Sequence, residues 1–193
     1  SNPFKQFSPR FSASYNVTKA FTINFNTGLY YQMPAYTTIG YRNNENELQN
    51  KQTLKYINNK QVVFGLAYNT SFYTKFAVEG FFKKYSNYPM SITKGISLAN
   101  LGGFFGTVGD EPVASNSEGR TYGFEMSVQQ KLYKGLYSIL TYTYFNSAFT
   151  DTSGNYTPSS WDSRHVLNLV FGYKFKRNWE LGVKAQYNGG NPF

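Results

Sequence analysis

His165 is the only histidine of the chain, and Asp162, Ser163 and Arg164 stand beside it. These are the residue types of an acyl-transfer site. A serine and a histidine two residues apart on one strand share a face, but a triad also needs the hydroxyl within reach of the imidazole and an acid behind it, and this spacing does not create that. Glu79 and Glu125 are carboxylates on the polar side of two alternating stretches, where they line an interior or pair with Lys or Arg across strands. Asp110, Glu111 and Glu118 are the oxygen ligands a calcium ion prefers, yet their spacing matches no calcium loop, and they read as solvated loop carboxylates. Gly102, Gly103 and Gly106 lack the strand and helix that flank a phosphate-binding loop, so they read as points where a long surface loop bends. No catalytic, cofactor-binding or metal-ligating residue is therefore assigned.

Composition narrows what could position such residues. The 193 residues suffice for one structural unit, 1–193, and not for several domains. Aromatics make up 20% of the chain, with 18 Tyr and 18 Phe, while mean hydropathy is -0.49. Apolar residues must then be dispersed among polar ones, as in alternating strands and not as in membrane helices. No run approaches the roughly 18 consecutive apolar residues of a spanning helix, so entry into a membrane would require a barrel. The absence of cysteine excludes disulfides, thiolate metal sites and thiol nucleophiles. A net charge of +9 invites a nucleic-acid partner, but the basic residues are scattered singly, with Lys83-Lys84 and Lys174 with Lys176-Arg177 the densest groups. Anionic membrane headgroups are the better match, and no nucleic acid is expected.

Period-two alternation recurs along the whole chain. Phe11, Ala13, Tyr15 and Val17 oppose Arg10, Ser12, Ser14 and Asn16. After a tight turn, Phe21, Ile23, Phe25, Thr27, Leu29 and Tyr31 oppose Thr22, Asn24, Asn26 and Gly28. A polar stretch over about 34–59 precedes a third strand with Val62, Phe64, Leu66 and Tyr68. A short turn at Asn69-Thr70-Ser71 leads to a fourth, with Phe76, Val78, Gly80 and Phe82. A second long loop, about 86–118, leads to Tyr122, Phe124, Met126 and Val128 on a fifth strand, facing away from Gly123, Glu125, Ser127 and Gln129. A sixth strand over roughly 136–146 has two mixed faces and no assignable outward side. After a third long loop, Leu167, Leu169, Phe171, Tyr173 and Phe175 mark a seventh, and Trp179, Leu181, Val183, Ala185 and Tyr187 an eighth.

Connections run short, long, short, long, short, long, short, which is the pattern of a transmembrane barrel with short periplasmic turns and longer external loops. Strands of about ten residues suit a tilted membrane strand and exceed the globular mode of about five or six. Tyr and Trp near strand ends fit the aromatic girdles of such a wall. With four short turns and three long loops, both chain ends fall on the external side. The expectation is an arc of a wider barrel.

Several stretches carry a family resemblance: Tyr30-Tyr31-Gln32-Met33-Pro34; Glu79-Gly80-Phe81-Phe82-Lys83-Lys84-Tyr85 with Tyr88-Pro89; Tyr122-Gly123-Phe124-Glu125; Trp161-Asp162-Ser163-Arg164-His165; Gly172-Tyr173-Lys174; Trp179-Glu180-Leu181-Gly182; and Gly189-Gly190-Asn191-Pro192-Phe193. Together, in order, they resemble the barrel of TonB-dependent outer-membrane receptors, in particular the group abundant in Bacteroidota that often carries an N-terminal carboxypeptidase-regulatory-like domain. The resemblance implies a 22-stranded barrel around an N-terminal plug, opened by energy that TonB delivers, and places this chain in the C-terminal part of the barrel. It makes 161–165 the rim where a loop re-enters the wall, held by an Asp–Arg pair, and gives Glu79 and Glu125 plug docking or lumen polarity.

The fold class expected is all-β: an antiparallel up-and-down transmembrane β-barrel segment of about eight strands. The function expected is part of an outer-membrane receptor and transporter, not an enzyme, importing a metal chelate, a glycan or a peptide. Its partners are outer-membrane lipid, the plug and remaining strands of the parent protein, and the TonB complex acting through that parent. Alternatives are a small structural or adhesive outer-membrane barrel closed at eight strands, and a soluble ligand-binding barrel of lipocalin type.

Overall fold

The computed structural model describes residues 6–70, 72–101 and 110–192. Nine strands form one antiparallel sheet: β1 (Arg10–Asn16), β2 (Phe21–Gln32), β3 (Ile57–Asn69), β4 (Thr74–Ser91), β5 (Val113–Tyr133), β6 (Leu136–Thr150), β7 (Tyr156–Pro158), β8 (His165–Lys174) and β9 (Glu180–Asn188). Spatial order follows chain order, β1-β2-β3-β4-β5-β6-β8-β9, with the short β7 paired to β6 only. The sheet is open: among the described residues β1 and β9 do not pair.

The alternation read from each strand becomes a two-faced wall because the register aligns the faces. Phe25 lies opposite Ala13 and Phe64. Leu66 meets Val78, and Val78 meets Met126. Met126 faces Tyr142, Tyr142 faces Leu167, and Leu167 faces Tyr187. Since a slip of one residue would exchange every side chain between faces, this alignment across eight strands gives one side of the wall a continuous apolar band. The same ladder settles the sixth strand: Leu136, Ser138, Leu140, Tyr142 and Tyr144 lie on the apolar side. Tyr137, Ile139, Thr141, Thr143 and Phe145 lie on the other.

Phe64, Phe82 and Met126 keep 49%, 48% and 47% of their surface exposed, whereas Gly65 and Ala67 on the opposite side of β3 are buried. Rings packed inside a soluble barrel would show the reverse. Side chains of the opposite face bond to one another across strands: Ser14 Oγ donates to Asn24 Oδ1 at 2.8 Å, Asn26 Nδ2 to Ser12 Oγ at 2.7 Å, and Thr22 Oγ1 to Asn16 Oδ1 at 2.7 Å.

The short turns sit at one end. Tyr133 pairs with Leu136 across Lys134 and Gly135, both at positive φ (48° and 88°), a two-residue primed turn whose twist suits a hairpin. Aromatic rings gather at this end: Tyr73 and Tyr133 lie 4.6 Å apart, Tyr173 and Phe175 4.7 Å, and Trp179 is 75% exposed.

At the other end the strands run further than the alternation alone indicates. β3 begins at Ile57 rather than near residue 61, β4 continues to Ser91, β5 begins at Val113 and β6 reaches Thr150. The second long connection is accordingly 92–112, not 86–118. The 21 residues of β5 extend roughly 70 Å at the usual rise, about twice the 9–11 residues a membrane strand needs. The sequence hides these extensions because above a bilayer neither face meets lipid and the alternation lapses. Ser91, Ser97, Ser115, Ser117 and Ser147 are buried there, covered by loops and not by hydrocarbon. One-turn helices, α1 (Tyr36–Ile39) and α2 (Asn50–Thr53), interrupt the first loop. Gly102, Gly103 and Gly106, Ser71 of the second short turn and the closing Phe193 lie outside the described residues.

Candidate functional site

Two surfaces have the chemistry to meet a solute: the polar face of the sheet and the outer rim. On the polar face Glu79 and Glu125 are placed directly opposite each other by the β4–β5 register. Like charges facing across a ladder are destabilising, and no Lys or Arg neutralises either among the described residues. The four ion pairs there are Lys84–Glu118, Lys94–Glu111, Arg164–Asp162 and Lys174–Glu180. Of the two readings, lining an interior or pairing with basic residues across strands, the second finds no basic partner among the described residues, and the two carboxylates face each other instead. Thr143 Oγ1 donates to Glu125 Oε2 at 3.1 Å, and Glu79 lies over the space left by Gly65. The sequence showed each glutamate on a polar face, but only the register shows that they meet.

At the outer rim the loops interlock. Asn50, 1% exposed, donates through Nδ2 to the carbonyls of Thr38 and Glu111, both at 2.8 Å, and accepts the Val113 amide on Oδ1 at 2.9 Å. Its side chain therefore ties the first loop to the second and to the start of β5. Thr53 Oγ1 donates to Val113 O at 2.7 Å and the Lys55 amide to Ser115 Oγ at 2.9 Å. Asn100 Nδ2 reaches the carbonyls of Thr157 and Pro158 at 2.8 and 2.7 Å, and the Ser160 amide donates to Ala99 O, which joins the second loop to the third. Beneath this cap Phe149, 1% exposed, packs against Tyr88 (4.6 Å), Tyr85 (5.4 Å) and Trp161 (5.7 Å). Nothing in the sequence distinguishes Asn50 from the other polar residues of its loop, so the central tie of the rim was missed.

The residues that suggested chemistry do not converge. Asp162, 2% exposed, accepts the Ser147 amide on Oδ1 at 3.0 Å and lies 3.7 Å from Arg164 Nε through Oδ2. It fastens the re-entering loop to β6, the Asp–Arg rim expected from the resemblance. Ser163 and His165 do not share a strand face, because β8 begins only at His165 and Arg164 turns the chain with a φ of 58°. His165 Nδ1 instead lies 2.9 Å from Tyr142 Oη on the apolar side. Glu111 takes Ser91 Oγ at 2.6 Å and Lys94 Nζ at 3.1 Å, while Glu118 pairs with Lys84 at 3.4 Å. The acidic residues are held by separate partners, and among the described residues no three His, Asp or Glu gather as a metal site would require.

Solved outer-membrane receptors share this arrangement. The ferripyoverdine receptor of Pseudomonas aeruginosa matches 94% of this chain at a TM-score of 0.65 and 19% identity, over 22% of its own length. The alcaligin receptor FauA of Bordetella pertussis matches 96% at 0.61 and 16% identity, over 30% of its length. The ferric-catecholate import receptor Fiu of Escherichia coli K12 matches 93% at 0.65 and 17% identity, over 24% of its length. This chain thus spans about a quarter of such receptors. No match was found among curated proteins. The family described as TonB dependent receptor-like, beta-barrel matches residues 1–193, and the chain belongs to that family of outer-membrane β-barrels.

Proposed function

We propose that this chain forms an arc of the wall of a larger receptor that captures a nutrient at its outer rim and passes it through the lumen when TonB moves an N-terminal plug. The observation that carries the reading is the wall itself: one face apolar across eight strands, the other polar, and an interlocked cap at one end only. The nutrient class is a metal chelate, a glycan or a peptide. The similar receptors for ferripyoverdine, alcaligin and ferric catecholates make a ferric chelate the first probe. The finer affiliation, the Bacteroidota-type group with a carboxypeptidase-regulatory-like domain, rests on the aromatic and glycine segments quoted above.

The facing Glu79 and Glu125 fit a plug that presents basic groups to the lumen. In the full-length receptor, Glu79→Gln with Glu125→Gln is expected to leave barrel assembly intact and to weaken plug seating by about 2–5 kcal/mol, as when one side of a buried charge pair is removed. Entry of a large hydrophilic antibiotic and ferric-chelate uptake report the effect. Unchanged permeability and unchanged uptake would exclude the plug contact. The native reading frame tests the parent assembly: an upstream plug is expected, whereas a frame without one, stopping just past Phe193, would favour the small structural or adhesive barrel.

A further inference from the structure

Three cations stand side by side on the apolar face. The register sets Lys60 opposite Lys84 and Lys84 opposite Arg120, and parity puts all three with Val62, Phe82 and Tyr122, one step nearer the capped end. All three are exposed. Directly opposed like charges are unfavourable on a ladder, and a lipid-facing wall is an expensive place for charge. The local compensation is one carboxylate: Glu118, 3.4 Å from Lys84, with both side chains about half exposed (52% and 50%). Arg120 lies 4.1 Å over the Tyr156 ring, which orients its guanidinium without neutralising it. Lys60 has no ion-pair partner among the described residues.

Beside this row the same face is hollowed. A groove of about 590 Å³ runs between Phe11, Leu29, Val62 and Phe82 over the short side chain of Thr27, and Lys60 and Lys84 line it too. The apolar stretch of β4 from Phe76 to Phe82 covers roughly 20 Å at the strand rise, and Lys84 follows two residues later. The cations are therefore at headgroup level on the loop side, with an acyl-sized groove below them.

We infer that Lys60, Lys84 and Arg120 bind the phosphorylated headgroup of an outer-leaflet glycolipid, with an acyl chain in the groove bounded by Phe11, Val62 and Phe82. Two strand spacings of about 4.8 Å place Lys60 and Arg120 roughly 10 Å apart. That span suits two phosphate groups, one between each neighbouring pair of cations, with the guanidinium fork of Arg120 taking one bidentately. The inference rests on the wall standing in an outer membrane with its loops outward.

The test uses the full-length receptor in neutral detergent, titrated with a bis-phosphorylated acylated glucosamine disaccharide, its dephosphorylated form, and inorganic phosphate. Each cation near a charged surface contributes about fivefold, so Lys60→Gln, Lys84→Gln and Arg120→Gln together should weaken binding on the order of a hundredfold. The charge-preserving set Lys60→Arg, Lys84→Arg and Arg120→Lys should keep it. The dephosphorylated lipid should bind weakly to every form, and millimolar phosphate should not displace the phosphorylated one. Equal binding by the neutralised receptor, equal binding of the two lipids, or displacement by phosphate alone would each overturn the site. Failure of all three receptors, wild type included, to insert into outer membrane would instead overturn the reading beneath it.

Discussion

Phe124→Arg or Leu169→Arg in the intact receptor is expected to cut the folded, membrane-assembled fraction sharply, at a cost of about 2–4 kcal/mol if the position lies near the bilayer midplane. Phe124 lies between Gly80 and Tyr144, and Leu169 between Leu140 and Ala185, so a guanidinium at either position projects from the apolar face with no charged neighbour in its row. Ser127→Arg and Asn168→Arg place the same charge on the other face. There Ser127 adjoins Ala77 and Thr141, and Asn168 adjoins Thr141 and Gln186, so their effect should be far milder. The heat-modifiable folded band on a gel, measured after assembly in cells, separates the two sets. Equal damage from both would refute the assignment of faces.

Asn50→Leu is expected to unfasten the rim while leaving the membrane part intact. The substitution keeps side-chain bulk but removes the bonds to the Thr38 carbonyl, the Glu111 carbonyl and the Val113 amide. A buried group left unpaired costs about 1–3 kcal/mol. The first and second loops should become sensitive to protease in the assembled receptor, and ligand capture should fall with them. Asn50→Asp retains an acceptor for the Val113 amide but loses both donated bonds, so it should be intermediate. Loops as resistant in Asn50→Leu as in the unaltered receptor would show that this side chain does not hold the cap.

What the sequence made legible follows from what the bilayer enforces. Where one side of a strand meets hydrocarbon, Phe and Leu must alternate with polar residues, and the segments around Phe25, Phe64, Met126 and Leu167 all declare their facing without a structure. Tyr142 does not, because aromatic and Thr residues occupy both sides of its strand, and only pairing with Met126 and Leu167 assigns it. Above the bilayer the rule stops applying. Ser115 and Ser117 then read as loop although they are strand, and β5 appears shorter than it is. The rim was illegible for a related reason: Asn50 and Thr53 work through partners some sixty residues away, Val113 among them, and no local pattern encodes such a bond. The opposition of Glu79 to Glu125 and the row from Lys60 to Arg120 are likewise properties of register, invisible in any single strand. Asp162 and Arg164 were legible as a rim pair because both partners lie within one short segment.

The chain contains no cysteine, so in a receptor freed of cysteines elsewhere, single cysteines can be placed along residues 121–129 of β5 and probed in outer membranes. Cysteines at 122, 124, 126 and 128 should react with a lipid-dissolved thiol reagent and resist a charged aqueous one, and those at 121, 127 and 129 should do the opposite. Reactivity without a two-residue period, or with the two sets exchanged, would contradict the wall described here.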